Sequence, residues 1–182
     1  MDDEWVTVPS SRKRTSKVEK SKSAPPPSMI ILIGIPASGK STFASTLDKS
    51  SGKVFVRINQ DELKTRAKCE RACREALANG LSPVIDRCNF SPDQREHFLA
   101  IARESNVPCD CVIFKYPLEE CILRAEERSY HETLNRDNAR GVCMHMQKQL
   151  VLPSEETDLE FYRQIHTITS FRESNEVVAK YL

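Results

Sequence analysis

The sequence contains little glycine and no long hydrophobic run. Only five of its 182 residues are glycine, so a short stretch that holds two of them is informative. No segment approaches the roughly 18 uninterrupted apolar residues that a membrane-spanning helix requires. The chain also opens without the charged, apolar and small-residue regions of a secretory signal peptide. Membrane insertion and secretion are therefore not expected.

An excess of one charge and a paired cysteine framework are also missing. The chain carries 27 basic and 26 acidic residues, for a formal charge of +1, and this balance neither favours nor excludes a nucleic-acid partner. Its seven cysteines are an odd number without paired C-x-x-C sets, and they do not show the spacing of a structural zinc site. We therefore predict reduced thiols that act as small core residues in the cytosol or nucleus.

The stretch "ILIGIPASGKST" (residues 31–42) holds two of the five glycines. Its pattern G-x-x-x-x-G-K-S is that of a phosphate-binding loop, which joins a buried strand to a helix. Glycine lets backbone N–H groups converge on an anion, and the start of the helix adds further unpaired N–H groups. Lys40 is predicted to reach the β- and γ-phosphates of ATP, and Ser41 to bind Mg²⁺. A strand–turn–helix corner without a ligand is the alternative. The predicted nucleotide-binding residues of this loop are Gly34, Ile35, Pro36, Ala37, Ser38, Gly39, Lys40, Ser41 and Thr42.

Residues 1–28 differ in composition from the rest of the chain and are predicted to be a disordered tail. They are rich in Ser, Lys and Pro and contain too little apolar material to fold alone. Residues 11–22 carry six basic side chains and a single Glu. A nuclear-entry signal, a weak contact to phosphates and a solvated linker all fit this cluster. Trp5 is a candidate contact to a protein partner, and the predicted location is nuclear, cytoplasmic or both.

From residue 29 onward, segments typical of strands and of helices alternate. This order predicts one α/β domain over residues 29–182, in which helices cover both faces of a mainly parallel sheet. The predicted strands are Met29–Ile33, Val54–Ile58, Ser82–Asp86, Cys109–Tyr116 and a last one within residues 162–171. The predicted helices cover residues 41–50, 61–80, 91–106, 118–131, 139–150 and a final short segment that ends at Leu182.

Two carboxylates leave the ends of predicted strands. Asp61 follows the second strand and Asp86 ends the third, and ligands of such folds bind beyond the carboxyl ends of the strands. We predict that Asp61 orients an acceptor hydroxyl and takes its proton, and that Asp86 holds Mg²⁺ directly or through water. The alternative for Asp61 is a helix N-cap, since it immediately precedes a helical pattern.

The fourth predicted helix carries two arginines on one face. Arg124 and Arg128 are four residues apart, and the helix leads into a polar stretch, residues 132–140, where a lid is expected. Arginines on a lid neutralise the charge of the transition state when the site closes. A solvated helix face, on which Glu120 pairs with Arg124, is the alternative.

Four segments together resemble a known family. "GIPASGKST", "INQDE", "VIDRCNFSPDQR" and "RAEER" are similar to the kinase domain of polynucleotide 5′-hydroxyl kinases, from about Met29 to Ile165. The central segment also looks like the kinase-type module fused to aprataxin-like proteins in plants. The resemblance implies the P-loop NTPase fold, a three-layer sandwich, with ATP and Mg²⁺ as ligands and a 5′-hydroxyl end of DNA or RNA as the acceptor. By position it implicates the following residues: Lys40, Ser41, Asp61, Asp86, Asn89, Arg124 and Arg128, the last also as a contact to ATP.

One position departs from the family pattern. The family often has Arg immediately before its catalytic Asp, and this chain has Gln60. Lys64 or Lys68 on the following helix could compensate, and Phe90 could stack a base. Two other functions stay open at this point. One is a P-loop kinase of a small metabolite or of a transfer-RNA-linked substrate, and the other is a nucleotide-binding interaction module without turnover.

Overall fold

A computed structural model describes residues 26–127, 138–153 and 162–182. Most of the predicted tail (residues 1–25), Arg128 and the greater part of the predicted lid lie outside these ranges. The strands are β1 (Met29–Ile33), β2 (Phe55–Asn59), β3 (Ser82–Asp86), β4 (Cys109–Phe114) and β5 (Gln164–Ile168). The helices of the described ranges are α1 (Lys40–Ser50), α2 (Gln60–Leu63), α3 (Arg66–Ala78), α4 (Pro92–Glu104), α5 (Leu118–Glu127), α6 (Ala139–Gln149) and α7 (Phe171–Tyr181).

The five strands form one sheet in the order β2-β3-β1-β4-β5. Every neighbouring pair is parallel, with Ile31 of β1 beside Ile85 of β3 and Cys111 of β4. The carboxyl ends of all five strands therefore meet at one edge of the sheet. The predicted parallel α/β fold is confirmed.

Side chains of β1 alternate between two apolar layers. Met29, Ile31 and Ile33 pack with residues of α3 and α4, while Ile30 and Leu32 pack with residues of α1 and α7. All five side chains are completely buried, and each is expected to contribute about 1.5–3 kcal/mol through removal of apolar surface from water. The predicted three-layer sandwich is confirmed, with β1 at its centre.

The helix predicted over residues 61–80 is wrong, because two helices occupy this segment. Asn59 caps α2 by accepting a hydrogen bond from the backbone of Glu62 at 3.0 Å. Lys64 then takes a φ of +69°, which an α-helix does not tolerate. Thr65 starts α3 as its N-cap, with its side chain 3.3 Å from the backbone N of Lys68. The break leaves α2 as a single turn above the carboxyl end of β2.

Other boundaries shift by one or two residues. β2 begins and ends one residue later than predicted, and β4 ends at Phe114 rather than Tyr116. Ser91 caps α4 and Pro92 occupies its first turn, as the capping pattern predicts. Within the described parts of the chain, no helix is both long enough and apolar enough to cross a membrane.

Candidate functional site

The loop after β1 adopts a backbone that requires its two glycines. Gly34 has a φ of +154°, and a Cβ at this position would lie 2.8 Å from Ser38 Oγ and 3.0 Å from the backbone oxygen of Phe114. Gly39 has a φ of +97° and precedes the first turn of α1. Ala37 between them also has a positive φ, of +60°. This wrapped backbone is the concave shape in which loop N–H groups can surround an anion.

Lys40 folds back over the same loop. Its Nζ donates a hydrogen bond to the backbone oxygen of Ile35 at 2.7 Å and lies 3.4 Å from Ser38 Oγ. The side chain is only 6% exposed. Among the described residues, its hydrogen-bond partners are neutral oxygens. The buried ammonium therefore carries positive charge into the loop, and an incoming phosphate would gain a charge-assisted contact.

Ser41 and Asp86 meet where α1 begins and β3 ends. The Ser41 hydroxyl donates to Asp86 Oδ1 at 3.1 Å, so a hydroxyl and a carboxylate oxygen stand side by side. This spacing is close to the roughly 2.9 Å between adjacent ligands of an octahedral ion bound at about 2.0–2.1 Å. Both groups are hard oxygen donors, and the pair therefore fits Mg²⁺. Within the described residues, no group of three or more His, Cys, Asp or Glu side chains forms a metal site.

Two residues of β2 hold Asp86, and sequence reasoning missed both roles. Arg57 donates from Nε to Asp86 Oδ2 at 2.7 Å, and Asn59 donates from Nδ2 to the same oxygen at 2.8 Å. Burial alone would lower the pKa of Arg57, but hydrogen bonding to Asp86 and the charges of Asp86 and Glu62 raise it. Strands of parallel sheets are usually apolar throughout. An arginine within β2 could therefore have indicated, from sequence alone, that it has an acidic partner nearby.

Asp61 lies at the mouth of a cleft of about 400 Å³ that also contains Lys40. It occupies the second position of α2, whose N-cap is Asn59, so the alternative of Asp61 as the N-cap is wrong. We call this cavity the central cleft. Its lining residues are Pro36, Ala37, Lys40, Ser41, Asn59, Gln60, Asp61, Asp86, Arg87, Cys88, Phe90, Gln94, Val142 and Met146. Taken over the described ranges, this lining includes neither Lys64 nor Lys68.

Arg124 is not among the described residues that line the central cleft. Arg124 pairs with Glu120 one turn earlier on α5, as the solvated-face alternative predicts. Its guanidinium also lies 4.5 Å from the centre of the Tyr116 ring, at the carboxyl end of β4. A catalytic role for Arg124 therefore needs a rearrangement and stays a prediction, as does the role of Arg128.

Asn89 ties the exit of β3 to the phosphate loop. With a φ of +46°, it donates from Nδ2 to the backbone oxygen of Leu32 at 2.7 Å and is fully buried. The backbone N of Gly34 donates to the oxygen of Cys88 at 3.1 Å. These bonds set the height of the β3 exit relative to the loop, and they give Asn89 a positioning role.

None of the seven cysteines, all of them within the described residues, lies in a disulfide bond, and six of them are buried. Burial raises the pKa of Cys73 to about 12 and that of Cys121 to about 11, so these thiols are poor nucleophiles. Cys88 is half-buried and lines the central cleft. The prediction that the cysteines act as small core residues is thus confirmed for six of the seven.

Comparison with known proteins agrees with this geometry. Residues 29–153 match the family described as an AAA domain. The Schizosaccharomyces pombe protein "Bifunctional polynucleotide phosphatase/kinase" is 34% identical over 122 residues, which are 67% of this chain and 26% of that protein. The Arabidopsis thaliana protein "Transcription factor bHLH140" is 34% identical over 131 residues, which are 69% of this chain and 14% of that protein.

A solved structure supports the fold. The crystal structure of a fungal RNA kinase has a TM-score of 0.67 to this chain at 15% identity, and the match covers 84% of this chain and 42% of that one. The chain spans only 14–26% of the length of the two curated relatives. The resemblance that the four sequence segments indicate is nevertheless confirmed by the matched domain. The chain therefore belongs to the AAA domain family, as a P-loop kinase domain related to the polynucleotide 5′-hydroxyl kinases.

Proposed function

We propose that this protein is an ATP-dependent kinase that transfers the γ-phosphate to the 5′-hydroxyl end of DNA or RNA. The observation that carries the proposal is the central cleft, where Lys40 and Asp61 share one cavity with the Ser41–Asp86 pair. A phosphate-binding ammonium, a pair of oxygens suited to Mg²⁺ and a carboxylate that can accept a proton are the parts that phosphoryl transfer needs.

Each of these residues then has a defined task. The loop from Gly34 to Thr42 surrounds the phosphates, and the ammonium of Lys40 exchanges the oxygen of Ile35 for phosphate oxygens. Ser41 and Asp86 hold Mg²⁺, which offsets phosphate charge when bound. Asp61 accepts the proton of the acceptor hydroxyl as that oxygen attacks the γ-phosphorus, while the bond from the γ-phosphorus to the bridging oxygen of the β-phosphate breaks and ADP leaves with that electron pair.

Part of the cleft lining suits a nucleotide as the acceptor. We call this part the acceptor side, formed by Phe90, Gln94, Val142 and Met146. Phe90 is half-buried, and an aromatic ring next to apolar side chains favours stacking with a base. A small polyol would instead be favoured by polar groups that hydrogen-bond its hydroxyls. The name of the Schizosaccharomyces pombe relative supports the same choice.

The test combines an acceptor panel with two variants. The protein is incubated with γ-labelled ATP and Mg²⁺ and with 5′-hydroxyl DNA, 5′-hydroxyl RNA, nucleosides and polyols, and 5′-phosphorylated oligonucleotides serve as controls. Label is expected on 5′-hydroxyl oligonucleotides. Asp61→Asn should lower kcat by about 10²–10⁴, the usual contribution of a positioned base. Glu62→Gln is the matched control, because this neighbouring carboxylate pairs with Arg57 at 2.6 Å.

Two results would contradict the proposal in different ways. Label that appears only on a polyol or nucleoside would replace the polynucleotide by a metabolite acceptor. If Asp61→Asn and the native protein turn over at the same rate, Asp61 is not the general base. The assignment of the acceptor would still stand.

We further propose that the protein acts in the nucleus, the cytoplasm or both, and that residues 1–28 serve as a contact to a protein partner.

A further inference from the structure

Arg87 is a second cation of the central cleft, and no task has been assigned to it. It follows β3 directly and lines the cleft together with Gln60 and Asp61. Its Nη1 is buried and has no hydrogen-bond partner among the described residues. A buried donor without a partner costs about 1–3 kcal/mol. Such a group at a binding cleft is expected to meet an acceptor that arrives with the ligand.

The surroundings of Arg87 leave its charge available. Its guanidinium lies 5.5 Å from the centre of the Phe98 ring. Glu70, the acidic residue of α3 that influences it, pairs with Arg66 at 2.9 Å instead.

We propose that Arg87 binds the phosphate that joins the accepting nucleotide to the next one, and so selects a nucleic-acid end over a free nucleoside or polyol. This inference rests on the proposed function, since it names the group that holds the acceptor of the same reaction. The charged side chains of the cleft lining are Lys40, Asp61, Asp86 and Arg87. Lys40 belongs to the phosphate loop and Asp86 is engaged by Arg57. Among the cleft residues that the structure describes, Arg87 is thus the cation that remains for an acceptor phosphate.

This assignment also accounts for Gln60. An amide before Asp61 cannot neutralise a phosphate, and the Oε1 atom of Gln60 is itself buried without a partner among the described residues. The positive charge is supplied instead by Arg87 after β3, in a cleft lining that also contains Phe90. A base against Phe90, a phosphate at Arg87 and a hydroxyl toward Asp61 describe one nucleotide at the end of a strand. A guanidinium is well suited to the phosphate, because its fork of donors matches two phosphate oxygens.

The test replaces the charge and the phosphate separately. Arg87→Met keeps an unbranched side chain of similar length but removes the charge, and Arg87→Lys keeps the charge. Arg71→Met is the control for loss of a surface cation, since Arg71 lies on α3 with a side chain that is 72% exposed. The acceptors are a 5′-hydroxyl oligonucleotide and the same oligonucleotide with a neutral methylphosphonate at its first linkage. KM and kcat are measured for both, together with oligonucleotide affinity from the anisotropy of a 3′-terminal fluorophore.

The expected result is a selective loss in acceptor binding. Arg87→Met should raise the acceptor KM and Kd about 10- to 100-fold, the size of one hydrogen bond to a charged group, with an unchanged KM for ATP. Arg87→Lys should recover part of this loss, and Arg71→Met should change neither constant more than about twofold. The methylphosphonate linkage should raise the acceptor KM and Kd of the native protein by a similar factor. It should hardly change these constants for Arg87→Met.

Each other outcome overturns a defined statement. If the methylphosphonate weakens acceptor binding equally in Arg87→Met and in the native protein, Arg87 does not contact that phosphate. The kinase assignment would still stand. If the native protein binds the oligonucleotide through Arg87 without phosphorylating it, the proposed function fails and the phosphate contact stands. If the native protein neither binds nor phosphorylates the oligonucleotide, both fail. A thermal unfolding midpoint for Arg87→Met within a few degrees of the native value identifies the loss as one of binding.

Discussion

Replacing Asp86 by Asn separates the structural task of this side chain from its task at a metal. Asp86 is 3% exposed, and its two oxygens accept hydrogen bonds from Ser41, Arg57 and Asn59. Asn has the same shape, so its oxygen can still accept from the β2 side chains while its nitrogen donates to the Ser41 hydroxyl. The substitution therefore removes a charge and little else.

The size of the effect on stability follows from these contacts. Hydrogen bonds to a charged partner contribute about 1 kcal/mol more than neutral ones, and Arg57 retains its pair with Glu62 at 2.6 Å. We expect Asp86→Asn to lower the free energy of unfolding by about 1–2 kcal/mol, which for a chain of this size is a fall in Tm of about 2–8 °C. Asp86→Ala should cost about 3 kcal/mol or more, because it leaves Arg57 and Asn59 without their buried acceptor.

The effect on the metal is measured apart from any acceptor. Binding of ADP is followed by calorimetry over a series of Mg²⁺ concentrations, and unfolding in urea is followed by circular dichroism. Asp86→Asn should raise the Mg²⁺ concentration at half-saturation about 10- to 100-fold. Glu62→Gln removes the other carboxylate from Arg57 and should leave this concentration unchanged. An unaltered Mg²⁺ dependence in Asp86→Asn would refute the metal role, and a stability equal to the native value would refute the reasoning on its hydrogen bonds.

Two further predictions concern the phosphate loop and the thiols. Gly34→Ala should lower the free energy of unfolding by about 1–3 kcal/mol, because its Cβ would lie 3.0 Å from the backbone oxygen of Phe114. The control is Gly141→Ala, whose Cβ would meet no atom within 4 Å and which should raise the Tm slightly. Equal thermal midpoints for the two variants would contradict this reasoning. With a thiol reagent at pH 8, Cys88 should react first and Cys73, whose pKa burial raises to about 12, only on unfolding. Mg²⁺ and ADP should slow the reaction of Cys88, and a fast phase that survives in Cys88→Ser would show the assignment to be wrong.

Secondary structure was largely predictable because it depends on neighbours in sequence. The strands Met29–Ile33 and Ser82–Asp86 agree with the structure to the residue, since short apolar runs between turn residues favour a buried strand. The break at Lys64 was missed, although Thr65 has the residue type of an N-cap. Helical periodicity runs through this segment without interruption. Only the observed φ of +69° at Lys64 shows that one helix ends there and that Thr65 caps a second one.

The network around Asp86 was not predictable, because it depends on how two strands align. In the register of β2 and β3, Asn59 stands beside Asp86, and a shift of one residue would turn the side chain of Arg57 to the other face. The availability of Arg87 is of the same kind. It depends on the contact between Arg87, which follows β3, and the ring of Phe98 on α4, and this contact is set by how α4 packs on the sheet.

The sequence by itself determined the phosphate loop, the order of strands and helices, and the edge of the sheet where ligands bind. These features follow from local chemistry: glycine tolerates positive φ, apolar runs seek burial, and parallel strands end on one side. Only the tertiary structure decided how charged side chains of different elements meet, because it joined Arg57 of β2 to Asp86 of β3 and placed Arg87 in the lining of the central cleft. The physical reason is that Coulomb and hydrogen-bond energies depend on distances of a few ångströms between residues far apart in the chain, and folding alone sets those distances.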